Sequence, residues 1–241
     1  MPMIFAHRGV RKDFPENTMP AFRAALTMGL EGIELDVQRT ADGRLVICHD
    51  ENLKRLTGND LLLKDLTWEQ LSALNAGFYF PGAPVERIPS LEEFFNWFAQ
   101  TPLTVNIEIK NSVFPFSLIE SEILDAIDHY HLRKRVIISS FNLQSVVEMK
   151  HLAPDIDCAY LFKRWPHRAL RWALAYGLDS LHPHYLNLLA PGFVAQCREQ
   201  GVKIRAWTVN HPVFMRTAGK KNIDVIMTDD PARALLIRDQ K

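Results

Sequence analysis

Apolar and polar residues alternate one by one from Ile33 to Gln38, with Ile33, Leu35 and Val37 on one face and Glu34, Asp36 and Gln38 on the other. A period of two predicts a β-strand, because successive side chains leave opposite faces of the backbone. The alternation returns after Leu103, where Val105, Ile107 and Ile109 oppose Asn106, Glu108 and Lys110. Shorter apolar runs predict further strands at 3–7, 135–139, 156–161, 179–182, 202–209 and 224–227. Asn17-Thr18 reads as the cap of a first helix, with Pro20 in its first turn and Gly29 at its end. Further helices are predicted over 116–129, 143–152, 167–175, 191–200, 212–218 and 231–238. Eight strand–helix units predict an α/β chain folded as a single (β/α)8 TIM barrel across 1–241.

One connection is too long for this scheme, from Glu51 to about Pro102. Within it, Thr67 with Gln70 and Ser90 with Glu93 fit the capping-box spacing, so two helices are expected. The stretch 51–89 reads as a small helical insertion after strand 2, over one edge of the barrel mouth, with Phe78, Tyr79 and Phe80 as its anchors. Leu91–Ala99 reads as the displaced helix of the second unit. Just upstream, Asp42-Gly43 signals a hairpin turn. A two-residue loop there would set Asp36 opposite His49, with Cys48 turned away as a small buried hydrophobe.

In a closed barrel, Glu34 and Asp36 on one strand and Glu108 on the next would cluster within about 7 Å. Each lies toward the C-terminal end of its strand, where this fold carries its chemistry, and His7 ends the strand next door. Three carboxylates so close cannot all stay ionised in a low-dielectric mouth without a cation. A hard divalent ion, Mg²⁺ or Ca²⁺ rather than zinc, would meet that demand. The alternative is neutralisation by Arg8, Lys110 and Arg205 without a metal.

Composition narrows the setting. Formal net charge is zero and no basic run appears, so nothing points to nucleic acid or to an anionic membrane surface. Cys48, Cys158 and Cys197 are scattered and odd in number, which fits a reducing compartment better than a disulfide framework. There is no basic n-region, no apolar h-region and no run long enough to span a bilayer. A soluble cytoplasmic protein is expected; the oligomeric state is left open.

His7-Arg8-Gly9, Glu16-Asn17-Thr18, Glu34-x-Asp36, His49-Asp50 and Glu108-x-Lys110 resemble, in order and spacing, the glycerophosphodiester phosphodiesterase family. Ser139-Ser140-Phe141, Trp207-Thr208-Val209-Asn210, Thr228-Asp229, Ala76-Gly77-Phe78-Tyr79 and Ile88-Pro89-Ser90-Leu91 extend the resemblance over the whole chain, most of all to the short bacterial cytosolic members. The resemblance implies a divalent-metal TIM-barrel enzyme that hydrolyses glycerophosphodiesters to sn-glycerol 3-phosphate and an alcohol. It implies Glu34, Asp36 and Glu108 as metal ligands, His7 and His49 as the acid/base pair, and Arg8 and Lys110 as phosphate contacts. Which histidine donates stays open, as does direct water attack against a cyclic phosphate. Trp207 is either a wall against the glycerol carbons or a packed core aromatic. His182 and His184 read as loop residues. Two rivals remain: a lysophospholipase D on the same scaffold, and a phosphate- or glycerol-binding module without catalysis, against which intact His7 and His49 argue.

Overall fold

The computed structural model describes residues 1–240. Eight parallel strands close a barrel: β1 (Met3–His7), β2 (Gly32–Arg39), β4 (Thr104–Ile109), β5 (Val136–Ser140), β6 (Asp157–Phe162), β7 (Ser180–Pro183), β8 (Lys203–Ala206) and β9 (Val225–Thr228). The short strand β3 (Leu45–Ile47) returns antiparallel on β2, and β1 pairs with both β2 and β9 to complete the ring. Helices α1 (Met19–Thr27), α4 (Leu91–Phe98), α5 (Ile119–His129), α6 (Leu143–Leu152), α7 (Pro166–Tyr176), α8 (Phe193–Glu199), α9 (Pro212–Lys221) and α10 (Pro231–Asp239) follow the strands. Two short helices, α2 (Lys54–Thr57) and α3 (Trp68–Ser72), lie in the long connection. The expected (β/α)8 barrel is therefore the observed one.

The alternating patterns have a simple cause. The apolar faces of β2 and β4 (Ile33, Leu35, Val37, Val105, Ile107, Ile109) pack outward into one core with Phe22, Phe94 and Phe98 of the helices. The polar faces turn into the barrel lumen, so Glu34, Asp36, Gln38, Asn106 and Glu108 are all buried. A second, smaller apolar cluster of Phe5, Ile137, Val225 and Met227 plugs the lumen beside Trp207. Gly32 makes room for that plug: a Cβ there would lie 2.5 Å from the Phe5 ring.

The segment 51–89 builds a satellite cluster of Leu53, Leu56, Leu63, Leu71, Ala76 and Ile88 against Val46 and Cys48. Cys48 is buried in it, as expected. Thr67 and Gln70 form the predicted reciprocal cap, and the Ser90 side chain accepts from the Glu93 N–H. Of the three expected anchors, Tyr79 fills the role, its hydroxyl accepting from the Glu16 N–H at 2.9 Å. Phe78 instead lies at the surface over Gly58.

Two local expectations are corrected. The hairpin loop has three residues, because Thr40 pairs with Arg44 through its backbone N–H and its hydroxyl. Asp42 is taken up by the Thr40 hydroxyl and the Trp68 N–H at the start of α3. Pairing runs Val37 with Ile47 and Gln38 with Val46, so Asp36 lies level with Cys48 and His49 falls one residue beyond. The second correction concerns α1. Thr18 occupies its N-cap position without a side-chain cap, its hydroxyl donating to the Pro15 carbonyl. Pro20 removes one N–H that a cap would satisfy, and Asn17 is drawn into the lumen by a carboxylate, a stronger acceptor.

Candidate active site

Strand register assembles the acids. His7 on β1 lies level with Glu34 on β2, and Asp36 lies level with Glu108 on β4. One oxygen from each of Glu34, Asp36 and Glu108 falls within 4.8 Å of the other two. The cluster expected from spacing alone is therefore present, at the C-terminal mouth.

Its partners are few. Glu34 accepts the Arg8 backbone N–H at 2.9 Å, and Glu108 accepts from Lys110 Nζ at 3.0 Å. Asp36 Oδ2 accepts from Asn17 Nδ2 at 2.9 Å and lies 3.5 Å from Arg8 Nε, whereas Asp36 Oδ1 has no hydrogen-bond partner. Arg205 takes no part. It is bound to Asp157 at 2.6 Å and to Ser180 at 2.6 Å, residues that open β6 and β7 at the far end of the barrel. The metal-free alternative thus loses one of its three cations, and Arg8 is also shared with Glu16 at 2.9 Å.

Charge burial follows this geometry. Burial, with Asp36 and Glu108 close by, drives Glu34 well above the usual carboxylate range, and burial with Asp36 nearby raises Glu108. Burial would also raise Asp36, but Arg8, His49, Lys110 and Asn17 hold it well below its ordinary value. A buried oxygen without a donor, in a set of three hard carboxylates, is compatible with a divalent cation of the Mg²⁺ or Ca²⁺ type.

Each imidazole is backed by a carboxylate. His7 Nδ1 meets Asp229 Oδ1 at 2.6 Å, while its Nε2 lies 4.0 Å from Glu34. Burial lowers the His7 pKa, so the ring is neutral near pH 7. Burial would raise Asp229, but its bond to His7 instead brings it down to about 2. His49 Nδ1 meets Asp50 Oδ1 at 2.7 Å, and Asp50 Oδ2 accepts from Arg55 Nε at 2.7 Å. Gln38 fixes this turn, donating to the carbonyls of Cys48 and Asp50.

The loop after β1 is held by Glu16, whose buried carboxylate receives Arg8, Arg11 and both terminal nitrogens of Arg55. Arg55 also lies over the Tyr79 ring, so the insertion and Arg8 share one anchor. Arg8 itself has φ of 57°, followed by Gly9 at 77°, where a Cβ would strike Ala21 at 2.7 Å.

Trp207 stands four strands round the barrel from β4. Its Nε1 donates to the His182 carbonyl at 2.7 Å, and Phe141 and His184 pack edge-on against its ring. His182 lies within the strand expected over 179–182 and not in the loop expected for it together with His184. It is buried beside Arg205, and burial followed by that charge pushes its pKa well down. Sequence reasoning missed the roles of Asn17, Asp50, Arg55 and Asp229 around the acids and imidazoles. Asp229 meets His7 only because β1 and β9 close the ring, and no local pattern marks that contact.

Fold and site together define a TIM barrel with buried acids and imidazoles gathered at its C-terminal mouth, where this fold carries active sites. Comparison with known proteins narrows the class. The model of the Glycerophosphoryl diester phosphodiesterase family matches residues 7–233. A glycerophosphodiester phosphodiesterase of Caldanaerobacter subterraneus subsp. tengcongensis is 41% identical over 95% of this chain and 94% of its own. A phosphodiesterase from Oleispira antarctica, solved in complex with the product sn-glycerol-3-phosphate, superposes with a TM-score of 0.87 at 27% identity, covering 100% of this chain and 98% of that one. The glycerophosphodiester phosphodiesterase of Thermotoga maritima gives 0.80 at 27% identity, over 100% and 99% of the two chains. The chain belongs to the glycerophosphoryl diester phosphodiesterase family.

Proposed function

We propose that this phosphodiesterase hydrolyses glycerophosphodiesters to sn-glycerol 3-phosphate and an alcohol, with Glu34, Asp36 and Glu108 holding Mg²⁺ or Ca²⁺. When bound, the ion supplies Lewis-acid neutralisation of the non-bridging phosphoryl oxygens. Arg8 and Lys110, both beside Asp36, add fixed positive charge where phosphoryl oxygens would approach. His7 and His49 carry the protons. In each ring Nδ1 is engaged by a carboxylate, which leaves Nε2 for transfer to or from the reacting oxygens. One ring accepts the nucleophile's proton while the other donates to the leaving alkoxide. Trp207 lines the wall against the glycerol carbons.

The whole chain acts as one catalytic domain, with 51–89 as an insertion beside the mouth that steadies Arg8 through Glu16. Its compartment is the cytoplasm, in keeping with three buried free cysteines. No described helix is long and apolar enough to cross a membrane.

The observation that carries this reading is the Asp36 oxygen left without a hydrogen bond among three buried acids, with His7 beside Glu34. The test is release of sn-glycerol 3-phosphate from glycerophosphocholine, measured before chelation, after it, and with Mg²⁺ or Ca²⁺ restored. Turnover should vanish with chelation and return with an ion. Undiminished turnover in chelator would remove the metal from the mechanism.

A further inference from the structure

The net charge of zero conceals a segregated chain. Between Cys158 and Ile223 there are ten lysines and arginines against two acids, Asp179 and Glu199. Asp179 immediately precedes β7 and Glu199 ends α8, so both sit at the N-terminal end of the barrel, away from the mouth. The connections that follow β6, β7 and β8 on the mouth side hold no acid before Glu199, and none from Trp207 through His211. Lys163 and Arg164 lie in the first of these connections, and Arg168 in the first turn of α7; all three are exposed.

The same connections and the first turn of α9 expose large apolar side chains. Trp165 is 72% exposed, Leu186 50%, Leu189 56% and Val213 55%. They belong to one arc of the rim. Asn187, between the two leucines, donates to the Lys163 carbonyl, and Tyr185 packs on Phe214, next to Val213, with ring centroids 4.5 Å apart. The arc runs into the site, because the Tyr185 N–H donates to the Trp207 carbonyl. Trp165 is presented at φ of 67°, in the left-handed region, immediately before Pro166 opens α7.

Apolar side chains flanked by arginines and lysines on an acid-free rim match one kind of surface, a bilayer interface carrying anionic headgroups. Tryptophan and leucine partition into the headgroup layer while the cations meet lipid phosphates. We propose that this arc docks the barrel mouth on an anionic lipid surface, with Trp165, Leu186, Leu189 and Val213 entering the interface and Lys163, Arg164 and Arg168 contacting the headgroups. Docking would set the mouth toward the membrane from which glycerophosphodiesters and their acylated precursors come. It goes beyond the proposed hydrolysis and does not depend on it.

The experiment is co-sedimentation of the full-length protein with vesicles of phosphatidylcholine alone and of phosphatidylcholine with phosphatidylglycerol, at low and at raised salt. Binding should need the anionic lipid and weaken with salt. The double variants Trp165→Ser with Leu189→Ser, and Arg164→Glu with Arg168→Glu, should each weaken it at least fivefold. Turnover of soluble glycerophosphocholine should stay unchanged in both, since none of the four residues belongs to the site. No binding to anionic vesicles would overturn the proposal, as would equal binding to both compositions. So would a dimer in sedimentation velocity that buries Trp165 and leaves vesicles untouched, or single-stranded RNA binding more tightly than the vesicles.

Discussion

At the N-terminal end of the barrel, Asp157 accepts two bonds from Arg205 and one each from Ser180 and Lys203. At the C-terminal end, Glu34, Asp36 and Glu108 crowd together with Arg8 and Lys110 shared among them, and one Asp36 oxygen has no hydrogen bond, with Lys110 Nζ 3.9 Å away. Both sets are polar strand residues, yet both oxygens of Asp157 are hydrogen-bonded, whereas Asp36 keeps one oxygen without a donor. Bonds from Arg205, Ser180 and Lys203 outweigh burial and hold Asp157 well below the usual carboxylate range. Burial and mutual repulsion leave Glu34 and Glu108 above it. A fully hydrogen-bonded carboxylate at one end reads as scaffold, and carboxylates raised by crowding at the other as a place kept for something else.

The sharpest way to separate the ends is to break one and watch the other. Glu108→Ala should abolish turnover while circular dichroism and the thermal transition stay those of a folded barrel, because the change also relieves crowding. An unfolded variant would make Glu108 scaffold. His49→Ala should lower kcat by about 10²–10⁴-fold with the fold intact. Near-normal rates would take this imidazole out of the reaction. At the other end, Arg205→Met removes two of the four bonds to the half-buried Asp157, leaving those of Ser180 and Lys203, and should cost about 1–3 kcal/mol of stability in urea denaturation. The folded fraction should keep its kcat, and a large loss of kcat in that fraction would join the two ends functionally.

Smaller in size, but opposite in sign, are the pH responses. The depressed Asp157 contributes stability that is present above the ordinary carboxylate range, about pH 4, and is lost as pH falls through its lowered folded value. Glu34 and Glu108, raised on folding, contribute stability that is complete below about pH 4 and lost as pH rises through their folded values. In metal-free protein, Asp157→Asn should therefore flatten the acid limb of the stability curve, and Glu108→Gln the neutral limb. Urea midpoints followed from pH 3 to 8 would show it. Two variants with the same pH dependence would erase the distinction between the ends.

Much of this was legible in the residues themselves. The strict alternation at 33–38 and 105–110 located both acidic strands, and adjacency in a parallel barrel was enough to bring Glu34, Asp36 and Glu108 together. His7 followed from its place at the end of β1. The hairpin was misread by one residue because Thr40 closes the turn with its own hydroxyl, a local competition that the Asp42-Gly43 pair does not reveal. Asn17 looked like a cap because that is what asparagine before a helix usually does; its real partner is nineteen residues away on another element. Asp229 and Arg55 were opaque for the same reason, each meeting its imidazole or its carboxylate through ring closure or through the packing of the insertion. The zero net charge hid most, since a sum over the chain says nothing of where the charges stand. The acid-free rim after β6 to β8 became visible only once the strands had sorted the mouth from the base.

The decisive measurement is the melting temperature of chelated protein at pH 7.5, with and without saturating Mg²⁺ or Ca²⁺, for the wild type and Glu108→Gln side by side. An ion at about a hundred times its Kd should raise the wild-type transition by about 5–10 °C. Glu108→Gln should melt higher than the wild type without metal and respond little to its addition. A wild type indifferent to both ions, together with a Glu108→Gln variant that melts lower than the wild type, would show that the three acids are at ease without a cation.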